Sequence, residues 1–361
     1  MSNIEQPHWL ATANQFRFNP LTGEKVQVST ERLSRTWGGE VSAYITEKNV
    51  EYLSDCPFCP GNIRESGEKA PTELSEYPYA FANDTAALKP PAEGAAQARY
   101  SDDTGIYQAE TAYGACEVII HHPRHDLTLA TVDREHAVKV FKLWANRYKE
   151  LGERPYINYV NIFENFLFGS SMRHPHNQLW ASSLVSPIQE KIFSNMATYK
   201  KKTGKHLIQT IAEQELKQQE RVVFENEDFV AVAPFWAVWP FEMIILPRKP
   251  KNSLLDLNES ELLNFTNAYI TATEKLNALF GGDCPYSSGL YQAPTDGGDY
   301  DGVMYLMFRP PVLRDIRTMK WMVGYELMSM PQRDLTPEAA AFLLRNPDGW
   351  EEFKTKFIYN A

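Results

Sequence analysis

Two stretches of the chain repeat the same order of residue types. The first begins at Glu117 and reads EVIIHHPRHDLTLATVDREHAVKVF; the second begins 125 residues later, at Glu242, and reads EMIILPRKPKNSLLDLNESELLNF. Each has an apolar run typical of a strand, a loop that contains proline, and a polar start to an amphipathic helix. The repeat predicts an internal duplication in which each half has strands with a helix on one face, so the fold class is α+β.

The helix of each repeat carries signals for its ends. In the second repeat Asn258 and Glu261 have the spacing of a capping box and Gly281 ends the helix, while the first helix is expected to end at Gly152. Apolar residues recur three and four positions apart in both, which predicts one buried face on each helix. They are Ala137, Phe141, Trp144, Tyr148 and Leu151 in the first helix, and Leu262, Phe265, Tyr269, Ala272, Leu276 and Leu279 in the second.

A polar, lysine-rich segment at 190–219 separates the two repeats. It has helical propensity but few strong apolar positions, so we expect it to bridge the halves. On this interpretation residues 1–205 form the N-terminal half and residues 206–361 form the C-terminal half. A chain of 361 residues is long enough for two such units to bury a core each.

The strongest chemical signal is the run HPHNQ, from His174 to Gln178. In an extended segment alternate side chains share a face, so His174, His176 and Gln178 would point one way and Asn177 the other. Pro175 has no N–H to donate, which favours a sheet edge or the end of a strand. Two histidines this close in sequence can also be surface residues or hydrogen-bonded core residues, and the run alone does not decide between these alternatives.

The motif Cys56-Pro57-Phe58-Cys59, followed by Gly61, predicts a tight turn that offers two thiolates to one zinc ion. The chain has four cysteines, too few and too unevenly spaced for a disulfide framework. Thioredoxin-like redox chemistry is less favoured, because the motif does not open a strand-to-helix unit. The other two ligands are expected among the following histidines: His121, His122, His125 and His174.

The charge balance of the chain limits the classes of partner. Acidic residues outnumber basic ones by 46 to 36, and this net charge of −10 argues against a nucleic acid or an anionic membrane as partner, although a local basic pocket could still bind a phosphate. The N-terminal residues lack the basic start and apolar core of a secretory signal. The most apolar run, 229–241, is short and contains Pro234 and Pro240, so it does not predict a membrane span. We therefore expect a cytoplasmic protein.

These motifs together resemble the histidine triad superfamily and, within it, the galactose-1-phosphate uridylyltransferases. The resemblance spans most of the chain and rests on HPHNQ, on FEN at 163–165, on WASS at 180–183, on CPFCPGN at 56–62 and on KWMVGYE at 320–326. It implies duplicated histidine-triad-like halves, each a mainly antiparallel sheet with helices on one face. It also implies the transfer of UMP from UDP-glucose to galactose 1-phosphate by double displacement, through a uridylyl-histidine, in galactose metabolism.

The resemblance assigns roles to individual residues. His176 would be the nucleophile, and Gln178 would stand where hydrolytic members of the superfamily have a third histidine, which favours transfer over hydrolysis. One structural zinc ion would be held by Cys56, Cys59, His125 and His174. The implied substrate-binding residues are Arg32, Arg35, Asn83, Asn165, Ser170, Ser171, Lys320, Val323, Tyr325, Glu326 and Gln332.

Several of these residues also have ordinary structural interpretations. Arg32 and Arg35 would by default be solvated surface charges, and composition alone would place Met322 and Tyr325 in the core. In the resembled family the segment that matches KWMVGYE enters the active site of the partner subunit and contacts the hexose and phosphate. The resemblance therefore implies a homodimer with composite active sites.

The chain departs from the family pattern at one place. Many members have a second metal site, built from a glutamate, a histidine and a later HxH pair, but this chain has no histidine after His206. The matching positions are Tyr291, Tyr305 and Met307, so we expect no second metal of that kind. Likewise, the HPH run falls opposite 305–307, so the second half is expected to have lost the reactive side chains.

Two other functions fit part of the same pattern. An ADP-sugar or dinucleoside-tetraphosphate phosphorylase of this superfamily shares the HxHxQ motif, although KWMVGYE favours the uridylyltransferase. A zinc-stabilised protein without catalytic activity would need only the four metal ligands, and the intact HPHNQ run argues against it.

Overall fold

One large antiparallel sheet forms the centre of the computed structural model, which describes residues 10, 13–30, 32, 50–94, 97–313, 318–355 and 357. Nine strands of these described residues pair in the order β3-β6-β8-β7-β12-β13-β11-β10-β9, and every neighbouring pair is antiparallel. They are β3 (Tyr79–Ala82), β6 (Gly114–Ile120), β7 (Tyr159–Phe166), β8 (His176–Ser182), β9 (Val222–Glu225), β10 (Phe229–Val232), β11 (Met243–Pro247), β12 (Tyr286–Tyr291) and β13 (Tyr305–Arg309). The prediction of an α+β fold with mainly antiparallel strands is confirmed.

Two smaller sheets and a set of helices complete the described fold. The small sheets are β1 (Gln15–Phe18), β2 (Lys25–Val28) and β14 (Gln332–Arg333), and β4 (Arg99–Ser101) with β5 (Gln108–Glu110). The α-helices are α1 (Arg134–Gly152), α2 (Pro187–Thr203), α3 (Leu207–Gln218), α4 (Glu259–Phe280), α5 (Tyr325–Met328), α6 (Pro337–Arg345) and α7 (Trp350–Lys354). Short 3-10 helices lie at Leu74–Glu76 and Leu254–Asp256. Within the described ranges, no helix combines the length and the apolar character that crossing a bilayer requires.

The duplication predicted from the sequence is present in three dimensions. The units β6-α1-β7-β8 and β11-α4-β12-β13 meet where β7 pairs with β12, and both long helices lie on the same face of the sheet. Asp133 caps α1, and Asn258, 125 positions later, caps α4 in the predicted capping box. Gly281, at φ 68°, ends α4 as expected.

The 125-residue spacing holds for the helices but not for the strands. Ile119 packs under the long helices, whereas Ile244, which is 125 residues further on, packs on the opposite face. Since strand side chains alternate between faces, an offset of one residue exchanges the two faces. The strands of the two units are therefore equivalent at a spacing that differs by one residue from that of the helices.

In the described part of the chain, the helices on the second face of the sheet lie over its second half. There α2 and α3 bury a row of apolar residues, so the expectation that segment 190–219 has few strong apolar positions was wrong. The buried residues of these helices include Ile192, Phe193, Met196, Leu207, Ile208 and Ile211. The predicted boundary at 205/206 falls between α2 and α3 and stays a prediction.

A buried ionic cluster fixes the small sheet to the second half. Arg17 on β1 and Arg221, just before β9, both bind the carboxylate of Glu338 on α6, at 3.0 Å and 2.9 Å. The Arg17 guanidinium also lies over the ring of Phe235, 4.3 Å from its centroid. Burial alone would raise the pKa of Glu338, but the two guanidinium groups outweigh burial, and its pKa lies below the ordinary value. The carboxylate is therefore ionised in the folded state.

We expect Glu338→Gln to lower the free energy of unfolding by about 3 to 5 kcal/mol at pH 7, because it leaves the buried Arg17 guanidinium without its counter-charge and Arg221 with Glu215 as its remaining buried carboxylate. The contribution of Glu338 is present above its ordinary pKa of 4.5 and is lost as the pH falls through the lowered folded-state value. Urea unfolding between pH 3 and pH 8 measures both effects. The matched control is Glu351→Gln on α7, an exposed partner of Lys354, whose effect should stay within about 0.5 kcal/mol. Equal effects of the two substitutions would show that the cluster does not hold the small sheet.

Candidate active site

Cys56 and Cys59 lie in a tight turn that points both thiols to the same place. The Cys59 N–H donates to the Cys56 carbonyl at 3.1 Å, and the N–H of Leu53 donates to Cys59 Sγ at 3.4 Å. The side-chain amide of Asn62 donates to the carbonyls of Leu53 and Cys56, at 2.9 Å and 2.8 Å. Gly61, at φ 76°, turns the chain away after the second cysteine. Hydrogen bonds within residues 53–62 therefore hold the two thiols in place.

His125 and His174 complete a buried group of four residues with these cysteines. Their four ligand atoms all lie within 4.8 Å of one another. The Nδ1 atoms of the two histidines are 3.5 Å and 3.6 Å from Cys59 Sγ. A tetrahedral zinc with bonds of about 2.3 Å to sulfur and about 2.0 Å to nitrogen places such atoms about 3.5 Å apart. The geometry matches the predicted ligand set.

The protonation of this group also suits a metal. The second ring nitrogen of His174, Nε2, donates to the carbonyl of His122 at 2.9 Å, which leaves Nδ1 with a free lone pair, as a metal ligand requires. Burial raises the pKa of the Cys56 thiol and lowers the pKa of His174 to about 4. Two buried thiols lose their protons only beside a cation, so the donor set fits one divalent ion.

His176 begins strand β8 and is held by the backbone of His174, one of the four residues of the cysteine–histidine group. Its Nδ1–H donates to the backbone carbonyl of His174 at 2.8 Å, so the lone pair lies on Nε2. Burial lowers the pKa of His176, which favours the neutral ring. Pro175 lies just before β8, so the predicted strand end is confirmed, although β8 is a central strand.

His176 lines a pocket of about 180 Å³ on the face of the sheet opposite to the long helices. Gln178, Ser171 and Asn83, all predicted from the sequence, line the same pocket. Its other lining residues are Pro57, Phe58, Glu65, Phe81, Asp84, Thr85, Val118 and Met172. Phe58 and the neighbours of Asn83 were not predicted as site residues. Phe58 lies inside the cysteine motif, and the centroid of its ring is 5.3 Å from that of His176.

Arg64 was also missed, and it supports one wall of the pocket. Its guanidinium lies over the Phe81 ring, 3.8 Å from the centroid, and its Nη1 donates to Asp84 at 2.9 Å. Arg64 is buried, so this pair has little freedom to move. The signal available in the sequence was its position within five residues of Cys59.

Two amide side chains present donors on the His176 face. The indole N–H of Trp180 donates to Gln178 Oε1 at 3.2 Å, and since indole can only donate, the amide N–H groups of Gln178 point elsewhere. In the same way Ser287 Oγ–H donates to Asn165 Oδ1 at 2.9 Å. Ser170 is occupied by its own bond to the Met172 carbonyl, at 2.6 Å.

The predicted sugar-binding segment lies outside this pocket. Lys320 forms an ion pair with Glu326, which also accepts the backbone N–H of Gln332 at 3.4 Å. Val323 and Tyr325 are 61% and 49% exposed, so the core interpretation of Tyr325 was wrong. Among the described residues that line the His176 pocket, none comes from segment 320–332.

Of the two predicted arginines, the structure describes Arg32, which follows β2. Arg32 is exposed, and its backbone N–H donates to Ser29 at 3.1 Å, while Arg35 lies outside the described residues. Because β14 pairs with β2, with Gln332 opposite Gln27, the small sheet carries both Arg32 and the sugar-binding segment. These two predicted groups are therefore close to each other but apart from the pocket of the same chain.

The positions of the family's second metal site form an aromatic cluster. The rings of Tyr291 and Tyr305 are stacked, with centroids 4.5 Å apart, and Met307 packs in the same apolar cluster. In the described part of the chain, the cysteine–histidine group is the one cluster close enough to hold a metal. A larger cavity of about 600 Å³ lies between α2 and the loop at 296–303, but neither histidine nor cysteine lines it.

Known proteins match this chain over most of its length. Residues 6–186 match the family model for the galactose-1-phosphate uridyl transferase N-terminal domain, and residues 191–356 match the model for its C-terminal domain. The galactose-1-phosphate uridylyltransferase of Hypocrea jecorina is 35% identical over 92% of this chain and 95% of its own length.

Two solved structures share the fold at lower identity. A uridylyltransferase superposes with a TM-score of 0.71 at 24% identity, over 92% of this chain and 97% of its own. An ADP-glucose phosphorylase from Arabidopsis thaliana with bound ADP-glucose superposes with a TM-score of 0.70 at 21% identity, over 92% of this chain and 99% of its own. At these identities the structures show the fold, and the family models together with the sequence relatives show the family. The chain belongs to the galactose-1-phosphate uridylyltransferase family.

Proposed function

We propose that the protein moves UMP from UDP-glucose to galactose 1-phosphate through a uridylyl group carried on His176. The observation that supports this proposal is the free Nε2 of His176, which faces the pocket while Nδ1–H is fixed on the His174 carbonyl. A neutral imidazole held in one tautomer is a nucleophile that needs no separate base. A histidine that served only to fill the core would have hydrogen bonds at both ring nitrogens or would pack away from a cavity.

The reaction has two displacement steps at one phosphorus atom. The lone pair of Nε2 attacks the α-phosphorus of UDP-glucose, a P–N bond forms, and the bond to the bridging oxygen breaks, so glucose 1-phosphate leaves with the electron pair. An oxygen of galactose 1-phosphate then attacks the same phosphorus, the P–N bond breaks, and UDP-galactose leaves. The electron pair returns to Nε2, so the enzyme is unchanged after the cycle.

Gln178 suits a transferase better than a hydrolase. Its amide N–H groups are free of the Trp180 contact and can bind phosphate oxygens in the pocket. Glutamine cannot deliver a proton, but a sugar phosphate whose second pKa is about 6 leaves without one. Asn165 and Ser171 would add neutral hydrogen bonds to the phosphates.

We further propose that the metal is zinc and that its role is structural. The four protein ligands would complete a tetrahedral set and leave no position for water or substrate. When bound, the ion supplies fixed geometry to His174, and the carbonyl of His174 then orients His176. A cytoplasmic location also stays a prediction.

The small sheet supports the proposal of a homodimer with composite sites. Arg32 follows β2, which pairs with β14, and Trp321, Val323, Leu327 and Met328 are exposed in the segment just before β14. An exposed apolar group of this kind is typical of a contact surface. In a dimer this sheet would bring the arginines and the Lys320–Glu326 pair to the pocket of the partner subunit.

Incubating the protein with UDP-glucose should add one uridylyl group, seen by intact-mass measurement. His176→Ala should abolish the adduct, because no other free imidazole faces the pocket in the described part of the chain. The matched control is His206→Ala, which replaces a partly buried histidine bonded to Asp301 and should keep the adduct. An adduct that persists in His176→Ala would move the nucleophile to another residue.

Comparing UDP-glucose with ADP-glucose in the same assay separates the uridylyltransferase from the ADP-sugar phosphorylase, since both have this fold. We expect the adduct to form at least ten times faster with UDP-glucose. A preference for ADP-glucose would assign the alternative function, and lack of an adduct with either would favour a non-catalytic zinc protein.

Cys59→Ser should remove most of the bound zinc, measured by elemental analysis, and should lower the thermal midpoint, because metal binding contributes folding free energy. Cys116→Ser, a buried free cysteine on β6, is the matched control and should retain the metal. Equal zinc content in the two variants would contradict the assignment of ligands.

A further inference from the structure

The side chain next to the nucleophile is held by a buried network on the other face of β8. Asn177 is fully buried, and its Oδ1 accepts hydrogen bonds from Trp144 Nε1, at 3.0 Å, and from His121 Nε2. Since the indole N–H can only donate, the orientation of the amide is fixed. The NH2 group of Asn177 must therefore point away from Trp144.

The partner for that NH2 group lies on the neighbouring strand. The pairing of β7 with β8 ends at Phe163 and Gln178, and the next pair in the same register is Glu164 with Asn177. Both Glu164 Oε1 and Asn177 Nδ2 are buried with no bond at ordinary distance to any described group. Burial raises the pKa of Glu164 to about 7, and the Asn177 amide is close enough to oppose this rise. The NH2 group of Asn177 is therefore a donor, and Glu164 Oε1 an acceptor, that suit each other across the two strands.

The second half of the molecule holds the other end of Glu164. Its Oε2 accepts hydrogen bonds from Tyr269 on α4, at 2.6 Å, and from Tyr286 on β12, at 3.1 Å. Both phenols are fully buried, and Tyr269 also contacts Ser288 at 3.3 Å. The network thus runs from the half without reactive histidines to the residue beside His176.

His176 lies where the backbone support of β8 is weakest. His176 pairs with Ile120 of β6. On the other side of β8, the pairing with β7 begins only at Gln178, two residues after His176. On the β7 side the strand at His176 has only side-chain contacts to hold it. A well-packed apolar pair would fill the same space at less cost than a buried carboxyl, so stability alone does not explain Glu164.

We propose that Glu164 and Asn177 are positioning residues, through which Tyr269 and Tyr286 of the second half set the place of the His176 ring against the bound nucleotide. The proposal rests on the proposed function of His176. It gives the second half a part in the reaction, because its phenols fix the start of the strand that carries the nucleophile. A misplacement of about 1 Å at a reacting atom can slow a reaction up to 100-fold.

A reciprocal exchange of donor and acceptor tests the proposal. Glu164→Gln keeps an acceptor for the two phenols but turns an NH2 group towards the NH2 group of Asn177. Asn177→Asp keeps the acceptor for Trp144 and His121 but turns an oxygen towards Glu164. In the double variant the new amide at position 164 turns its NH2 group towards the new carboxylate oxygen at position 177. A donor again faces an acceptor, with the two roles exchanged.

The readout is the single-turnover rate of uridylyl-adduct formation, measured at a series of UDP-glucose concentrations. We expect each single variant to lower the maximal rate by about 10- to 100-fold, with less than about a threefold change in the half-saturating concentration. The double variant should recover at least tenfold over the slower single variant. Rates are referred to folded protein, so a loss of stability alone does not change them.

Two outcomes would overturn the proposal. In the first, the maximal rates of both single variants lie within twofold of the rate of the unchanged protein. In the second, the double variant is no faster than the rate expected if the two single effects multiply. If the unchanged protein forms no adduct, the proposed function fails instead.

Variants that do not fold are replaced by a milder substitution. Tyr286→Phe removes one hydrogen bond to Glu164 and should slow adduct formation at least threefold. Tyr291→Phe on the same strand, whose side chain lies on the opposite face, should leave the rate unchanged. Equal rates in these two variants also contradict the proposal.

Discussion

The hydrogen bond from His176 Nδ1 to the carbonyl of His174 is the contact on which the rest of the site depends. It joins two residues that are separated by one proline, and it ties the tautomer of one ring to the position of the other. His174 is fixed in turn by the two cysteines and by the His122 carbonyl. A group that can hold a metal therefore orients the lone pair of His176 through a single backbone oxygen, without touching the reacting atoms.

The two halves show how one architecture serves different purposes. Over the first half, the face of the sheet away from the long helices carries the His176 pocket beside a small apolar cluster of Tyr77, Val118 and Ile120. Over the second half, α2 and α3 cover the same face, and Tyr305 and Met307 pack beneath them. Covering this face excludes a substrate but adds apolar burial, which stabilises a single continuous sheet.

The sequence predicted most of the fold, because the repeat, the caps and the apolar spacing are local signals. Asp133 was not singled out as the cap of α1, but Asn258, Gly152 and Gly281 mark helix ends close to where they occur. The spacing of the cysteine motif predicted two metal ligands, whereas the choice of His125 and His174 among four histidines came from the resemblance to the family. The Glu164–Asn177 pair could not be found in this way, because it depends on strand register. Nor does any local pattern show that Arg64 lies over Phe81.

The small sheet joins opposite ends of the chain, and this has a consequence for biosynthesis. Strands β1 and β2 are translated long before β14 and Glu338. Until then one edge of β2 keeps its unpaired N–H and C=O groups, and the guanidinium of Arg17 lacks its counter-charge. Domains generally fold as they emerge, from the N-terminus onward, but this one cannot complete its first strands in that order. A nascent chain must therefore protect an open sheet edge through most of its synthesis.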